Sequence, residues 1–260
     1  MKNTTLKILA GIFYLLMVGV NFLANSLPIN NRSTGEISDA YPNLFAPAGA
    51  TFSIWGLIYL LLGGYVFYQF TKSAKSKDGL IRKVNIFFVI TSAANIAWIF
   101  AWHYDFIGLS VLIMSILLVS LIKIADIFRG EKLETSEKIF LSIPFSVYFG
   151  WITVATIANI TVFLVSIDWD GFGVADFTWT VVILLVGAMI GIARINKDKN
   201  IAYGLVLIWA YAGILLKHLS AEGFDGKYPS IIATLIGCLI LIALFLIKTF
   251  LEISKSQKIK

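Results

Sequence analysis

The chain has 260 residues, of which 58% are apolar and 14% charged, with a formal net charge of +6. That balance excludes a water-soluble globular domain. The one cysteine, Cys238, excludes an intramolecular disulfide and any cysteine-based metal cluster. The expected fold class is all-α, a polytopic membrane helix bundle.

An apolar helix needs roughly 20 residues to cross a bilayer. Runs of about that length are expected at 8–27, 48–70, 84–102, 107–125, 139–163, 177–195, 201–217 and 229–248. The first follows Lys2 and Lys7 and ends in Ala24-Asn25-Ser26, which loosely resembles a signal-peptide cleavage site. Its apolar run is longer than a signal peptide's core of roughly 7–15 residues, so it reads as a retained span.

The first loop after it, about Pro28 to Pro47, is the longest stretch expected outside the membrane. It holds Pro28, Pro42 and Pro47, three of the five prolines, together with Tyr41. Proline fixes the backbone and cannot donate to a ladder, so this loop should be irregular and stiff. It reads either as a lid over a site or as an ordinary connector. In the sixth span, Gly187-Ala188-Met189-Ile190-Gly191 places two glycines one helical turn apart, which suits close helix packing or a homodimer contact.

Lys and Arg concentrate on the cytoplasmic side of membrane proteins. With eight spans and both termini cytoplasmic, only Arg32, Lys217 and Lys227 of the 21 Lys and Arg residues fall outside. An odd number of spans would break this alternation. The expected location is the cell membrane, multi-pass. The positive charge then faces anionic lipid headgroups, so the partner is the lipid bilayer and not a nucleic acid.

No ionisable residue falls near the middle of a span. Lys123 and Asp126 end the fourth, and Lys217 and His218 end the seventh. This argues against a proton-coupled carrier with a mid-membrane carboxylate and against an intramembrane protease. The two histidines, His103 and His218, are both expected on the outer side. They read as interfacial polar residues or as axial ligands of a haem iron. No cofactor is required, and no metal site is expected.

Aromatic and amide chemistry remains. Of seven tryptophans, Trp55, Trp98, Trp102, Trp169 and Trp179 fall in the outer half, while Trp151 and Trp209 fall near mid-membrane. An interfacial belt would place tryptophan at both faces. An aromatic-walled cavity opening outward accounts for Trp98 and Trp102 one turn apart, and for the depth of Trp151. Such walls hold flat apolar ligands, oriented by a few polar groups. Asn21, Asn25, Asn95 and Asn159 lie in the outer half and serve either as those groups or as interhelical hydrogen bonds.

These residues carry a resemblance. Tyr41-Pro42-Asn43-Leu44-Phe45-Ala46-Pro47 is followed by Phe52, Trp55 and Tyr59, with Tyr59 four residues after Trp55. Asn95-Ile96-Ala97-Trp98 lies in the third span. Trp151, Ala155 and Asn159 share one face of the fifth. Together they resemble the TspO/MBR family, the translocator or tryptophan-rich sensory proteins. The resemblance covers about residues 8–165, five spans in the family's order. It departs at Ala48, at Ser53-Ile54, in the spacing of Pro144 from Trp151, in lacking a cholesterol-recognition pattern after Asn159, and in three further spans. The chain therefore divides into a TspO-like five-helix region, 1–165, and an additional three-helix region, 166–260.

The resemblance implies a ligand site under the first outer loop, formed by Tyr41, Pro42, Pro47, Phe52, Trp55, Tyr59, Asn95, Trp98, Trp151, Ala155 and Asn159. It implies a binding or sensory protein for a tetrapyrrole such as porphyrin or haem, or a sterol-like molecule. A small-solute transporter and a porphyrin-degrading membrane enzyme are the alternatives. The sequence offers no acid–base pair for the enzyme.

Overall fold

The structure, a computed structural model, describes residues 3–27 and 29–258. Lys2, Pro28 and Lys260, which the sequence reading uses, lie outside the described residues. Among the described residues ten α-helices follow in chain order: α1 (Asn3–Ser26), α2 (Thr34–Asp39), α3 (Ile54–Tyr68), α4 (Asp78–His103), α5 (Ile107–Phe128), α6 (Thr135–Glu137), α7 (Ile143–Ser166), α8 (Asp176–Asp198), α9 (Ile201–Leu219) and α10 (Pro229–Lys258). Among the described residues, eight helical stretches are long and apolar enough to cross a membrane, as the hydropathy pattern predicts. The protein is an all-helical, multi-pass membrane bundle.

Several helices depart from their expected bounds: α10 runs on to Lys258 where an end near Lys248 is expected, α1 begins at Asn3 where a start near Ile8 is expected, and the third and fifth membrane helices start early. The third membrane helix begins at Asp78, well before the apolar run at about residue 84, because Asp78 is held in place. Its carboxylate takes the Lys7 ammonium at 2.7 Å, and Lys7 also donates to the Gln69 carbonyl at 2.8 Å. The fifth starts with a wide π turn, Lys138–Ser142, directly before α7. Pro144 stands in the first turn of α7. A proline has no N–H and its ring crowds the carbonyl four residues back, so a widened turn upstream relieves both problems.

The helices sort into two compact units, Met1–Tyr41 with Ile54–Ile152, and Pro42–Ser53 with Thr153–Lys260. In the first, α4 is the central helix and packs on α1 and α5. Helix α1 also meets α3, where the Tyr14 hydroxyl donates to the Tyr59 carbonyl at 2.9 Å. A fully buried polar chain lies further along α3 and α4: Tyr65 donates to Asn85 at 2.6 Å, and Asn85 donates to Gln69 at 2.8 Å.

In the second unit α10 packs on α8 and α9. The glycine pair of α8 is occupied inside this unit. A Cβ on Gly187 would stand 2.7 Å from the Tyr211 hydroxyl, and one on Gly191 would stand 2.3 Å from Leu207 Cδ1. Both contacts come from α9, so the small residues serve close packing between neighbouring helices. Near the far ends of these helices, Arg194 pairs with Asp198 at 2.5 Å and Lys199 with Glu252 at 2.5 Å.

Candidate ligand-binding site

Helix α3 opens with Trp55, and Tyr59 follows one turn later on the same face. Their rings stack, with centroids 5.5 Å apart and planes 22° from parallel. Helix α7 brings Tyr148 and Trp151, one turn apart, to the same place. Trp55 meets Tyr148 edge-on at 5.9 Å and Trp151 edge-on at 6.3 Å. Tyr148 and Trp151 are buried, whereas Trp55 and Tyr59 keep partial exposure. Four rings from two helices thus form one cluster in the first unit.

Polar groups are fixed around it. Asn95 of α4, 1% exposed, donates through Nδ2 to the Tyr148 hydroxyl at 3.2 Å. Its Oδ1 accepts from Asn21 Nδ2 of α1 at 2.6 Å. The amide pair therefore ties α1 to α4 and sets the rotamer of Tyr148. This matches the interhelical role open to asparagine in a membrane, and it also places an amide at the edge of the ring cluster. The Tyr59 hydroxyl is buried and has no protein partner.

Trp98 lies one turn beyond Asn95, is 8% exposed, and stacks on Trp102 at 5.2 Å and 21°. Trp102 Nε1 donates to the Thr34 carbonyl at 3.2 Å, so this pair sits against the first loop. The first part of that loop is fastened to the turn between α4 and α5. Asn30 donates to the His103 carbonyl at 2.9 Å. The Asp105 carboxylate takes both the Arg32 guanidinium and the Tyr41 hydroxyl, the latter at 3.2 Å. Burial, reinforced by the Asp105 charge, pushes the Tyr41 hydroxyl above the usual phenol range. Glu36, in the short helix α2, is held below the usual carboxylate range by the Ser33 backbone N–H and side chain that it caps.

The second part of the loop, Pro42–Ser53, belongs to the second unit and packs along α9. Ala48 donates to the Gly213 carbonyl at 3.0 Å, Trp209 Nε1 donates to the Thr51 carbonyl at 2.9 Å, and His218 Nε2 meets the Leu44 carbonyl at 2.9 Å. Within this segment Pro42 is exposed, Pro47 buried and Phe52 partly buried. Ala155 and Asn159 lie one and two turns beyond Trp151 on α7, in the second unit, with Asn159 buried.

The sequence-expected residues thus fall into groups. Trp55, Tyr59 and Trp151 share one ring cluster, with Asn95 bonded to its fourth member. Trp98 joins Trp102, and Tyr41 joins Asp105. Pro42, Pro47 and Phe52 lie on the segment held by α9. Sequence reasoning missed Tyr148, although it lies one turn before Trp151 on the same face. It also missed Asp105, whose two partners are distant in sequence. Each histidine spends one ring nitrogen on a backbone carbonyl, His103 through Nδ1 to Ile99 at 2.8 Å. No group of three or more histidine, cysteine or acidic residues suited to a metal occurs among the described residues.

Eight membrane-length helical stretches among the described residues define a multi-pass membrane protein. The family model described as "TSPO-like protein" matches residues 7–248, and the chain belongs to that family. The match extends through all eight helices, beyond the five that carry the motif resemblance. No curated protein and no solved structure gave a match.

Proposed function

We propose that the protein binds a flat hydrophobic ligand at the cluster formed by Trp55, Tyr59, Tyr148 and Trp151, with Asn95 setting its polar edge. The ligand class is a tetrapyrrole such as porphyrin or haem, or a sterol-like molecule, and the role is sensory. Both termini face the cytoplasm and the cluster lies toward the outer face of the cell membrane. The observation that carries this reading is the contact of Trp55 with three other rings. Edge-on and offset ring contacts favour aromatic partners and supply flat walls, and an amide at one edge supplies orientation.

Axial ligation of haem by the two histidines is not part of this proposal, and the ring cluster alone carries it. Titration of the purified protein with protoporphyrin and with haem, followed by tryptophan fluorescence, tests the proposal. Saturable quenching supports it. Absence of saturable quenching by either, and by a sterol competitor, removes it. Uptake of the same molecules into sealed proteoliposomes separates a carrier from a receptor.

A further inference from the structure

Five hydroxyl and amide groups surround the ring cluster, those of Asn21, Asn95, Tyr14, Tyr148 and Tyr59, and four of them are engaged. Asn21 donates to Asn95, Asn95 donates to the Tyr148 oxygen, and the Tyr14 hydroxyl donates to the Tyr59 carbonyl. The exception is the Tyr59 hydroxyl, which is buried and has no protein group within hydrogen-bonding distance. Its ring is held by the stack on Trp55, and its backbone is tied to α1 through Tyr14. The hydroxyl therefore has a fixed position in surroundings that neutralise its neighbours but not itself.

A buried hydroxyl without a partner costs stability, and a missing acceptor for its proton is worse tolerated than a spare lone pair. Phenylalanine would give the same stack without that cost. A fixed, unspent donor beside flat aromatic walls is the arrangement that discriminates between ligands by one hydrogen bond. A site built to bond a polar atom rejects an analogue lacking it more strongly than an apolar wall rejects a missing methylene.

We infer that Tyr59 is the specificity-determining residue of this site, and that its hydroxyl donates to an oxygen acceptor on the buried edge of the ligand. This inference rests on the ligand-binding reading above. It narrows the ligand class to flat molecules that carry a carbonyl or carboxylate oxygen, and it sets pure hydrocarbon ring systems apart as poor ligands.

The test uses two uncharged probes with the same macrocycle, protoporphyrin dimethyl ester, which has oxygen acceptors, and octaethylporphyrin, which has none. Wild-type protein should prefer the ester by roughly 5–150-fold, the affinity equivalent of one buried hydrogen bond. Tyr59→Phe should abolish that preference, with octaethylporphyrin bound as well as by wild type. It should also raise the thermal midpoint of the ligand-free protein, a readout that shows the variant is folded. Tyr148→Phe, which strands Asn95, should lower the midpoint and keep the preference. Retention of the full preference by Tyr59→Phe, or a wild type with no preference between the two probes, overturns the assignment of Tyr59 while leaving the binding site in place. Failure of protoporphyrin and both probes to quench wild-type fluorescence removes the underlying reading instead.

Discussion

Asn21 of α1 donates to Asn95 of α4 at 2.6 Å, and both side chains are buried. In a bilayer a buried amide must find a partner inside the protein. These two satisfy each other, and Asn95 passes the chain on to Tyr148 of α7. One asparagine thus links three helices at the level of the ring cluster. Local helix packing and the geometry of the candidate site depend on the same side chain.

Asn95→Ala should therefore act on both. It leaves Asn21 and Tyr148 each short of one hydrogen bond, and a destabilisation of about 1–3 kcal/mol is expected. Thermal unfolding in detergent would show a lower midpoint, and protoporphyrin titration would show a Kd raised roughly 5–150-fold. An unchanged midpoint and unchanged affinity would mean that the amide chain is dispensable.

Trp151→Phe tests the ring cluster itself. The smaller ring loses part of the edge-on contact with Trp55. Aromatic pairs are worth about 0.5–1.5 kcal/mol beyond their buried area, so affinity should fall roughly 2–13-fold. Trp179→Phe serves as the comparison. Trp179 packs on Trp169 at 5.3 Å and donates to the Gly171 carbonyl at 2.9 Å, beside the turn that precedes α8. Such a place at the head of a membrane helix suits an interfacial anchor. If Trp179→Phe abolished binding while Trp151→Phe did not, the site would lie elsewhere.

Much of the fold was legible because membrane burial is written in composition. Eight apolar runs of bilayer length gave eight membrane-length helices among the described residues, whereas Trp55, Tyr59 and Trp151 were singled out through the motif resemblance. Asp78 at the head of α4 was not, because its place depends on Lys7, far back in the chain. Nor was the π turn, which is a local response to Pro144. The loop at about Pro28 to Pro47 reads in sequence as a lid or a connector of the first five helices, and the residues from Ala48 on as the start of the second span; the segment Pro42–Ser53 belongs instead with the second unit. Its hydrogen bonds to Trp209, Gly213 and His218 join residues more than 150 positions apart in sequence. No local pattern announces such a pairing.

The fastening of the loop to Asp105 should control ligand exchange. Asp105 has φ 56°, a left-handed conformation that asparagine also tolerates. Asp105→Asn therefore removes charge with little backbone strain. It weakens the hold on Arg32 and Tyr41, and faster dissociation of a bound porphyrin is expected in stopped flow. The Tyr41 hydroxyl is raised above its ordinary value of about 10. A group whose folded pKa is raised contributes stability that is present below the unfolded pKa and is lost as pH rises through the folded one. Exchange in wild type should accordingly quicken only at alkaline pH, above about 10, and Tyr41→Phe should remove that rise. A flat profile to higher pH would leave Tyr41 without a part in closing the loop.

Gly213 is required where Pro42–Ser53 meets α9. A Cβ there would stand 2.1 Å from Thr51 Oγ1 and 2.6 Å from Thr51 Cγ2. Gly213→Ala forces Thr51 aside and disturbs the Ala48 and Trp209 bonds on either side. A loss of about 1–3 kcal/mol is expected, typical of overpacking. Thr51→Gly in the same chain should restore most of it, measured as the thermal midpoint and as protease resistance of residues 42–53. No recovery in the double variant would place the cost outside this contact.

The orientation of the chain can be tested across one helix. Helix α8 runs from Asp176 to Asp198, with exposed Ala175 just before it and exposed Lys197 near its end. On the proposed orientation, which follows the Lys/Arg distribution, Lys197 faces the cytoplasm and Ala175 the outside. Asp168 is a poorer probe, since its φ of 51° would strain a cysteine. Cys238 is buried and can be replaced by alanine, leaving a cysteine-free background. In that background, Ala175→Cys should react with a membrane-impermeant maleimide in intact cells. Lys197→Cys should react only after permeabilisation. The reverse pattern would invert the chain and put the Trp55 cluster toward the cytoplasmic face. Labelling of both sites from the same side would mean that α8 does not cross the membrane, and the eight-span arrangement would fall with it.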